Sequence, residues 1–231
     1  GSGGALFSAG VKQRLLAALP QLRILDAGGS SETGSQMGQI STAGGSGTGR
    51  FAPNPGAVVV DATMTRILAP GDDEIGWLAQ RGLVPLGYLD DPDKSARTFP
   101  LVDGVRHSIP GDRARWDADG SIELLGRDSV TINSGGEKIF AEEVETALAS
   151  HPGVVDVVVA SRPSERWGQE VVAVVALAEG AAVTAAELVE HAGGSLARYK
   201  LPKAVVFRPT IVRSPAGKAD YRWAREQAEQ G

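Results

Sequence analysis

The 231-residue chain has no cysteine, only 5% aromatic residues and three histidines. No apolar run approaches the ~20 residues that a helix needs to cross a bilayer. The missing thiols exclude a disulfide scaffold and thiolate metal sites, and they suit a reducing, cytoplasmic setting, which is the localisation expected. His107, His151 and His191 lie scattered, without metal-ligand spacing, and read as surface or packing residues. The 23 basic and 28 acidic residues are interspersed, giving a net charge of -5. That excludes the clustered basic face required to grip nucleic acid or an anionic membrane. There is no charged-then-apolar leader and no G-x-S-x-G nucleophile elbow. Trp77, Trp116, Trp167 and Trp223 are spread one per region, as core anchors would be.

Glycine, in contrast, is abundant: 30 residues, with twelve in the first fifty. The chain opens Gly1-Ser2-Gly3-Gly4, and its methionines stand only at 37 and 64. It is therefore read as a piece of a longer polypeptide. A helix is expected over 11–19, with Ser8 as cap, Leu15, Leu16 and Leu19 as its apolar face, and Pro20 as its stop. A strand over 22–25 then runs into "DAGGSSETGSQMG", a Gly/Ser loop, and 41–56 reads as a mobile linker. Short β-like runs follow at 58–60, 75–79, 83–86, 113–116 and 121–125. The last two flank Asp117-Ala118-Asp119-Gly120, a hairpin signal. Beyond residue 128 the pattern alternates strand and helix. A helix is expected at 141–149, strands at 154–160, 171–177 and 204–207, and a helix opened by the capping box Thr184-Ala185-Ala186-Glu187. The expected class is mixed α/β and α+β, divided into 1–50, a β-rich 51–128, and an α+β domain over 129–231.

Four stretches carry polar chemistry. "GGSGTGR" at 44–50 resembles a phosphate cradle but lacks the Lys-Ser/Thr pair of a Walker loop, so a linker is the better reading. "GSSETG" at 29–34 offers hydroxyl donors to a phosphate and a carboxylate suited to Mg²⁺, though an ordinary Ser-rich turn has the same composition. "GDRARWDADGSIELLGR" sets Asp112 against Arg127 across the hairpin, either as a surface ion pair or as a carboxylate for a ribose diol beside a guanidinium for an anion. "RSPAGKADYRW" presents Lys218 on a turn before a helix, either merely solvated or able to neutralise a transferring phosphate.

In their order, "GSSETG", "PGD", "LGR", "GGEKIF" and "SPAGK" resemble the adenylate-forming superfamily of acyl-CoA synthetases, luciferases and peptide-synthetase adenylation domains. The resemblance covers essentially the whole chain and is strongest to actinobacterial fatty-acyl and steroid side-chain CoA ligases, through "INSGGEKIFAEEVE" and "LARYKLPK". It implies the end of a large domain with a β-rich subdomain, followed by a small mobile lid. Gly28, Gly29, Ser30 and Ser31 would belong to a loop that cups adenine and phosphate, with Glu32 on Mg²⁺ and Thr33 on the α-phosphate. Asp112 would bind ribose, Leu124 would touch the nucleoside, and Arg127 would reach ribose or phosphate. Ser129 would be the hinge and Lys218 the adenylating lysine. Gly135 and Gly136 would lie on a strand passing the pantetheine arm, with Lys138 and Lys200 as weaker CoA contacts.

The implied reaction joins a carboxylic acid, ATP and CoA into acyl-CoA, AMP and pyrophosphate through an acyl-adenylate, and the chain by itself is expected to be inactive. Two departures stand out: Gly28 replaces an aromatic ring stacked on adenine, and Pro110 replaces a threonine before Gly-Asp. The family's upstream phosphate loop with its lysine also has no match here. A silent nucleotide-binding homologue, or an adenylation domain that loads a carrier protein, therefore stays open beside the ligase.

Overall fold

The computed structural model describes residues 1–3, 9–45, 49–215 and 217–231. Ser8, the expected helix cap, and residues 46–48 of the glycine-rich stretch lie outside them. By contact density the chain divides into two compact units, residues 1–7 with 15–128 and residues 8–14 with 129–231. Among the described residues, no helix is long and apolar enough to cross a membrane.

The first unit is built on strands: β1 (Ser2–Gly3), β2 (Ile24–Ser30), β3 (Gly34–Ser41), β4 (Arg50–Pro53), β5 (Ala57–Val60), β6 (Gly76–Arg81), β7 (Leu101–Val102), β8 (Val105–Ser108), β9 (Asp112–Trp116) and β10 (Ile122–Arg127). Helix α1 (Ala9–Ala18) precedes β2, and α2 (Pro92–Thr98) precedes β7. The strands form one sheet in the order β1-β2-β3-β4-β10-β9-β6-β8-β7, with β5 added on β6. Met37, Phe51, Val59, Leu68, Leu78, Ala114 and Ile122 form one buried cluster of this unit. Each fully buried aliphatic side chain of this kind contributes about 1.5–3 kcal/mol.

Several expectations fail here for identifiable reasons. The Gly/Ser loop at 26–38 is mostly a tight hairpin, because β2 continues to Ser30 and pairs with β3 through a bulge at Gly28/Gly29. The linker expected at 41–56 contains β4, which pairs with both β3 and β10, so the sheet runs unbroken through residue 50. The run at 83–86 is not a strand, since Leu83 and Leu86 are 105% and 91% exposed and bury nothing. Helix α2 was not expected; Pro92 starts it and the Asp91 carboxylate accepts the Lys94 N–H at 3.0 Å. Trp167 is 39% exposed and anchors no core.

In the second unit β11 (Ile132–Ser134), β12 (Glu137–Ile139), β13 (Val154–Ser164), β14 (Gly168–Leu177) and β15 (Ala204–Phe207) form a sheet in the order β12-β11-β14-β13, with β15 parallel to β14. Helices α3 (Ala141–Ala149), α4 (Ala185–Gly193) and α5 (Tyr221–Gln230) complete it. One face of the β13–β14 hairpin (Val157, Val159, Val171, Ala173, Val175) clusters with Val144, Leu148 and Leu188 of α3 and α4. The other (Val158, Ala160, Val172, Val174) clusters with Ala224 and Ala228 of α5. Both faces being covered explains why these strands read as continuous apolar runs rather than alternating ones. The expected capping box is present: Thr184 Oγ1 accepts the Glu187 N–H at 3.2 Å, and Glu187 Oε2 accepts the Thr184 N–H at 2.8 Å.

Candidate functional site

In the first unit the polar turn between β2 and β3 is closed by its own groups. Thr33 Oγ1 accepts the Ser30 N–H at 2.9 Å and donates to Gly34 O at 3.0 Å, while Ser30 Oγ accepts the Glu32 N–H at 3.2 Å. Glycine is obligatory at 29, where a Cβ would stand 2.0 Å from Gly34 O. At Gly28 a Cβ would meet Met37 Cε at 2.6 Å, so the buried Met37 side chain occupies the ground beside the missing aromatic ring. Gly28, Gly29 and Ser30 are thus strand residues rather than loop residues. Ser31 is exposed.

Glu32 projects from this turn and meets a partner that the sequence did not reveal. The Tyr88 hydroxyl donates to Glu32 Oε1 at 2.7 Å. That bond, with help from the Lys94 charge, holds the Glu32 carboxyl below its ordinary value against the effect of burial. Tyr88 is itself fixed by Lys94 Nζ, 3.8 Å from its ring centre, and by Phe99, whose ring centre lies 5.7 Å away. The signal was available: Tyr88 is the sole tyrosine of residues 1–128, and phenol is a partly apolar group that donates to carboxylates.

Asp112 and Arg127 face each other as the last registered pair of the β9–β10 ladder, beyond a bulge between Leu124 and Gly126, with Arg127 Nε 3.3 Å from Asp112 Oδ1. Burial pushes the Asp112 carboxyl up; Arg127 opposes this, and the charge of Glu32 adds to it. Glu32 and Asp112 therefore share one electrostatic neighbourhood. Leu124, on the same ladder, packs half-buried against the Met37 cluster. Just beyond, Ser129 is exposed in a short 3₁₀ turn, Asp128–Val130. The preceding Asp128 lies 3.3 Å from Arg113 Nε, whose guanidinium stacks 4.0 Å over Trp77.

In the second unit Gly135 and Gly136 are not on a strand. They are the two-residue turn between β11 and β12, at φ +61° and +89°, where side chains are strained. Gly135 also leaves no room, since a Cβ would stand 2.8 Å from the Trp167 ring. Lys138 is exposed on β12. Lys200 is engaged, its Nζ 2.6 and 2.7 Å from the two carboxylate oxygens of Glu143. Lys218 sits exposed in a loop ahead of α5, whose N-cap Asp220 accepts the Arg222 and Trp223 N–H groups.

These features meet a consistent set of relatives. Residues 143–218 match the family described as AMP-binding enzyme C-terminal domain. Those residues belong to that AMP-binding C-terminal domain family. It is 66% identical, over 230 residues, to the medium-chain acyl-CoA ligase Mig of Mycobacterium avium, covering 100% of this chain and 42% of that protein. It is 47% identical over 232 residues to the 3-oxocholest-4-en-26-oate–CoA ligase of Rhodococcus rhodochrous, covering 98% of this chain and 41% of that protein. The crystal structure of ATP-bound MatB from Rhodopseudomonas palustris matches with TM-score 0.81 and 30% identity, over 97% of this chain and 44% of that one. The chain thus spans less than half the length of the relatives it matches.

Proposed function

We propose that the protein containing this chain is an ATP-dependent acyl-CoA ligase acting on apolar acids, fatty or steroid side-chain, with these residues supplying part of the nucleotide site and the adenylating lysine. The observation that carries this reading is 66% identity, over the whole of the chain, to an acyl-CoA ligase, and Glu32, Asp112, Arg127 and Lys218 stand in polar settings that suit ATP chemistry.

A Mg²⁺ ion would arrive on ATP as part of the substrate. Among the described residues no three carboxylates or imidazoles cluster to hold a metal on their own. Glu32, a single half-buried carboxylate beside hydroxyls, fits an ion that Mg²⁺ chemistry shares between one protein oxygen and phosphates. Asp112, an acceptor-only group, would take the ribose hydroxyls, Leu124 would flank the nucleoside, Arg127 would add positive charge, and Gly28, Gly29, Ser30, Ser31 and Thr33 would line the phosphates. The substrate carboxylate attacks the α-phosphorus and pyrophosphate leaves. Lys218 would neutralise the charge shared by the two oxygens, a stabilisation that needs positioning and no nucleophile. In the second half-reaction the CoA thiolate attacks the acyl carbon and AMP leaves. Ser129 would be the pivot between the halves, and the Gly135–Gly136 turn, with Lys138, would face the pantetheine arm. The Glu143 pair makes Lys200 a poorer candidate for that contact.

The test is made in the full-length protein. Lys218→Ala should abolish acid-dependent pyrophosphate exchange while thioester formation from supplied acyl-adenylate continues; equal loss of both would make Lys218 structural. A second reading, a silent homologue, is favoured by Met37 filling the space beside Gly28. Calorimetry with ATP separates the two, since absence of binding supports the silent protein and binding with exchange supports the ligase.

A further inference from the structure

We infer that Asp156 and Arg213 form a clamp that sets the position of the Lys218 loop, which makes both of them positioning residues for adenylation. This rests on the reading of Lys218 given above.

The geometry is a fork on a carboxylate. Arg213 Nε donates to Asp156 Oδ2 at 2.8 Å and Nη2 donates to Oδ1 at 2.6 Å. The remaining nitrogen, Nη1, donates to Gly217 O at 3.2 Å, the carbonyl immediately before Lys218, and Nη2 also reaches Val157 O at 3.4 Å. One guanidinium therefore ties the loop to β13 of the sheet. Within the loop, the Ser214 N–H donates to Lys218 O at 2.9 Å, the Gly217 N–H to Ser214 O at 2.8 Å, and the Lys218 N–H to Ser214 Oγ at 3.2 Å. Arg213 and Ala219 bridge as a short antiparallel pair. Lys218 is thus bracketed on both sides by backbone that Arg213 anchors. Its ammonium, among the described residues, makes no hydrogen bond or ion pair and is left for a ligand.

Two features separate this arrangement from an ordinary surface pair. Exposed ion pairs contribute little, whereas planar bidentate pairs in partly desolvated places hold direction as well as charge. Here both partners are about one-third exposed, at 31% and 30%. Glu145 of α3 and Tyr221 of α5 are near enough to the guanidinium to interact with its charge. Moreover, α5 is held on β13 and β14 by its own apolar cluster, of which neither Asp156 nor Arg213 is a member. Opening the clamp should free the loop without releasing the helix. A lysine displaced by about 1 Å from a transferring phosphate can cost ~100-fold in rate.

The experiment uses the full-length protein with Arg213→Ala, Arg213→Lys and the near-isosteric Asp156→Asn, with Lys218→Ala as reference. Pyrophosphate exchange is measured beside thioester formation from supplied acyl-adenylate. Hydrogen exchange at the Gly217 and Lys218 amides supplies a readout other than turnover. Arg213→Ala and Asp156→Asn are expected to lower kcat for exchange about 10- to 100-fold, with KM for ATP and the thioester step within about twofold, and to speed exchange of the loop amides. Arg213→Lys, which keeps the charge but not the fork, should recover only part of the rate. Exchange kinetics within twofold of the parent, in a protein where Lys218→Ala abolishes them, overturn the clamp and leave the lysine reading intact. Equal loss of both half-reactions, or unchanged loop protection in Asp156→Asn, overturns it too. Full activity of Lys218→Ala removes the lysine reading and the clamp together.

Discussion

Glu145→Gln isolates the part-buried carboxyl near the Lys218 loop. Glu145 Oε1 accepts the Val159 N–H at 2.8 Å. Its part-buried carboxyl has Glu142, Arg213 and Tyr221 as neighbours, and desolvation, with the Glu142 charge adding to it, pushes its pKa from 4.5 up to about 8. At neutral pH the folded protein keeps a proton that the unfolded chain has lost. The sign follows. Below about 4.5 both states are protonated and this group takes nothing from stability. Between 4.5 and about 8 only the unfolded chain ionises, so stability falls as pH rises, and above 8 the loss levels off. At ~1.4 kcal/mol for each pH unit of that interval, the ceiling on the loss is ~5 kcal/mol, a large share of the ~5–15 kcal/mol typical of a domain.

Glutamine keeps the acceptor for Val159, replaces the acid proton with an amide donor, and cannot ionise. The variant should match the parent near pH 5 and exceed it at pH 9 by an amount approaching that ceiling. Urea unfolding at pH 5, 6, 7, 8 and 9 would show this, with hydrogen exchange of β13 and β14 peptides assigning the transition to the second unit. The parent's midpoint should slide downward through the interval while the variant's stays level. A variant that is less stable than the parent at pH 9 would refute the reasoning, since the ionised carboxylate would then be a working partner of Arg213.

Two further outcomes concern the first unit. Tyr88→Phe removes one oxygen while keeping the ring that contacts Phe99 and Lys94; in the full-length protein it should raise the Mg²⁺ concentration needed for half-maximal exchange about 10-fold and leave the melting temperature in place, and a fallen melting temperature with unchanged Mg²⁺ dependence would contradict this. Gly29→Ala forces backbone movement against Gly34 O, whereas Gly28→Ala presses on the buried Met37 side chain, Cε at 2.6 Å and Cγ at 3.0 Å; urea midpoints should show a loss of ~2–3 kcal/mol for the former and ~1 kcal/mol, the low end for overpacking, for the latter.

How far the fold could be read in the sequence depended on what each segment buries. In the second unit α3 occupies the expected 141–149, the two valine runs are strands, and Thr184 caps α4 through Glu187. There the local pattern and the core agree, because a helix stripe and a doubly covered hairpin each leave a distinct apolar signature. In the first unit β4 hides between glycine-rich and proline-rich neighbours, with only Phe51 buried in it. The segments 101–102 and 105–108 are too short to show a period. Leu83 and Leu86 mislead in the opposite direction, being apolar but outside any core. At the proposed site, Glu32, Asp112, Arg127 and Lys218 could be named because each stands in a short motif of its own. Tyr88 was missed because it stands 56 residues from Glu32. Arg213 was missed because its partner, Asp156, lies 57 residues away on another element.

The self-contained bonding of the β2–β3 turn bears directly on whether it can receive a phosphate. Each hydroxyl has one proton. Thr33 spends its proton on Gly34 O, so Ser30 Oγ must be the donor in its 3.1 Å contact with Thr33 Oγ1. To bond a phosphate oxygen, Thr33 has to leave Gly34 O. That carbonyl is exposed and water can take the vacated place, so the loss is no more than the ~0.5–1.5 kcal/mol net of an ordinary hydrogen bond. A hydroxyl bonded to a charged oxygen is worth ~1.5–3 kcal/mol, so the exchange favours the phosphate. Ser30 loses nothing, since Thr33 Oγ1 keeps a lone pair for it, and the Ser30 N–H can stay on the same oxygen. The turn is therefore organised before any ligand arrives, and a single hydroxyl rotation suffices for Thr33 to turn outward.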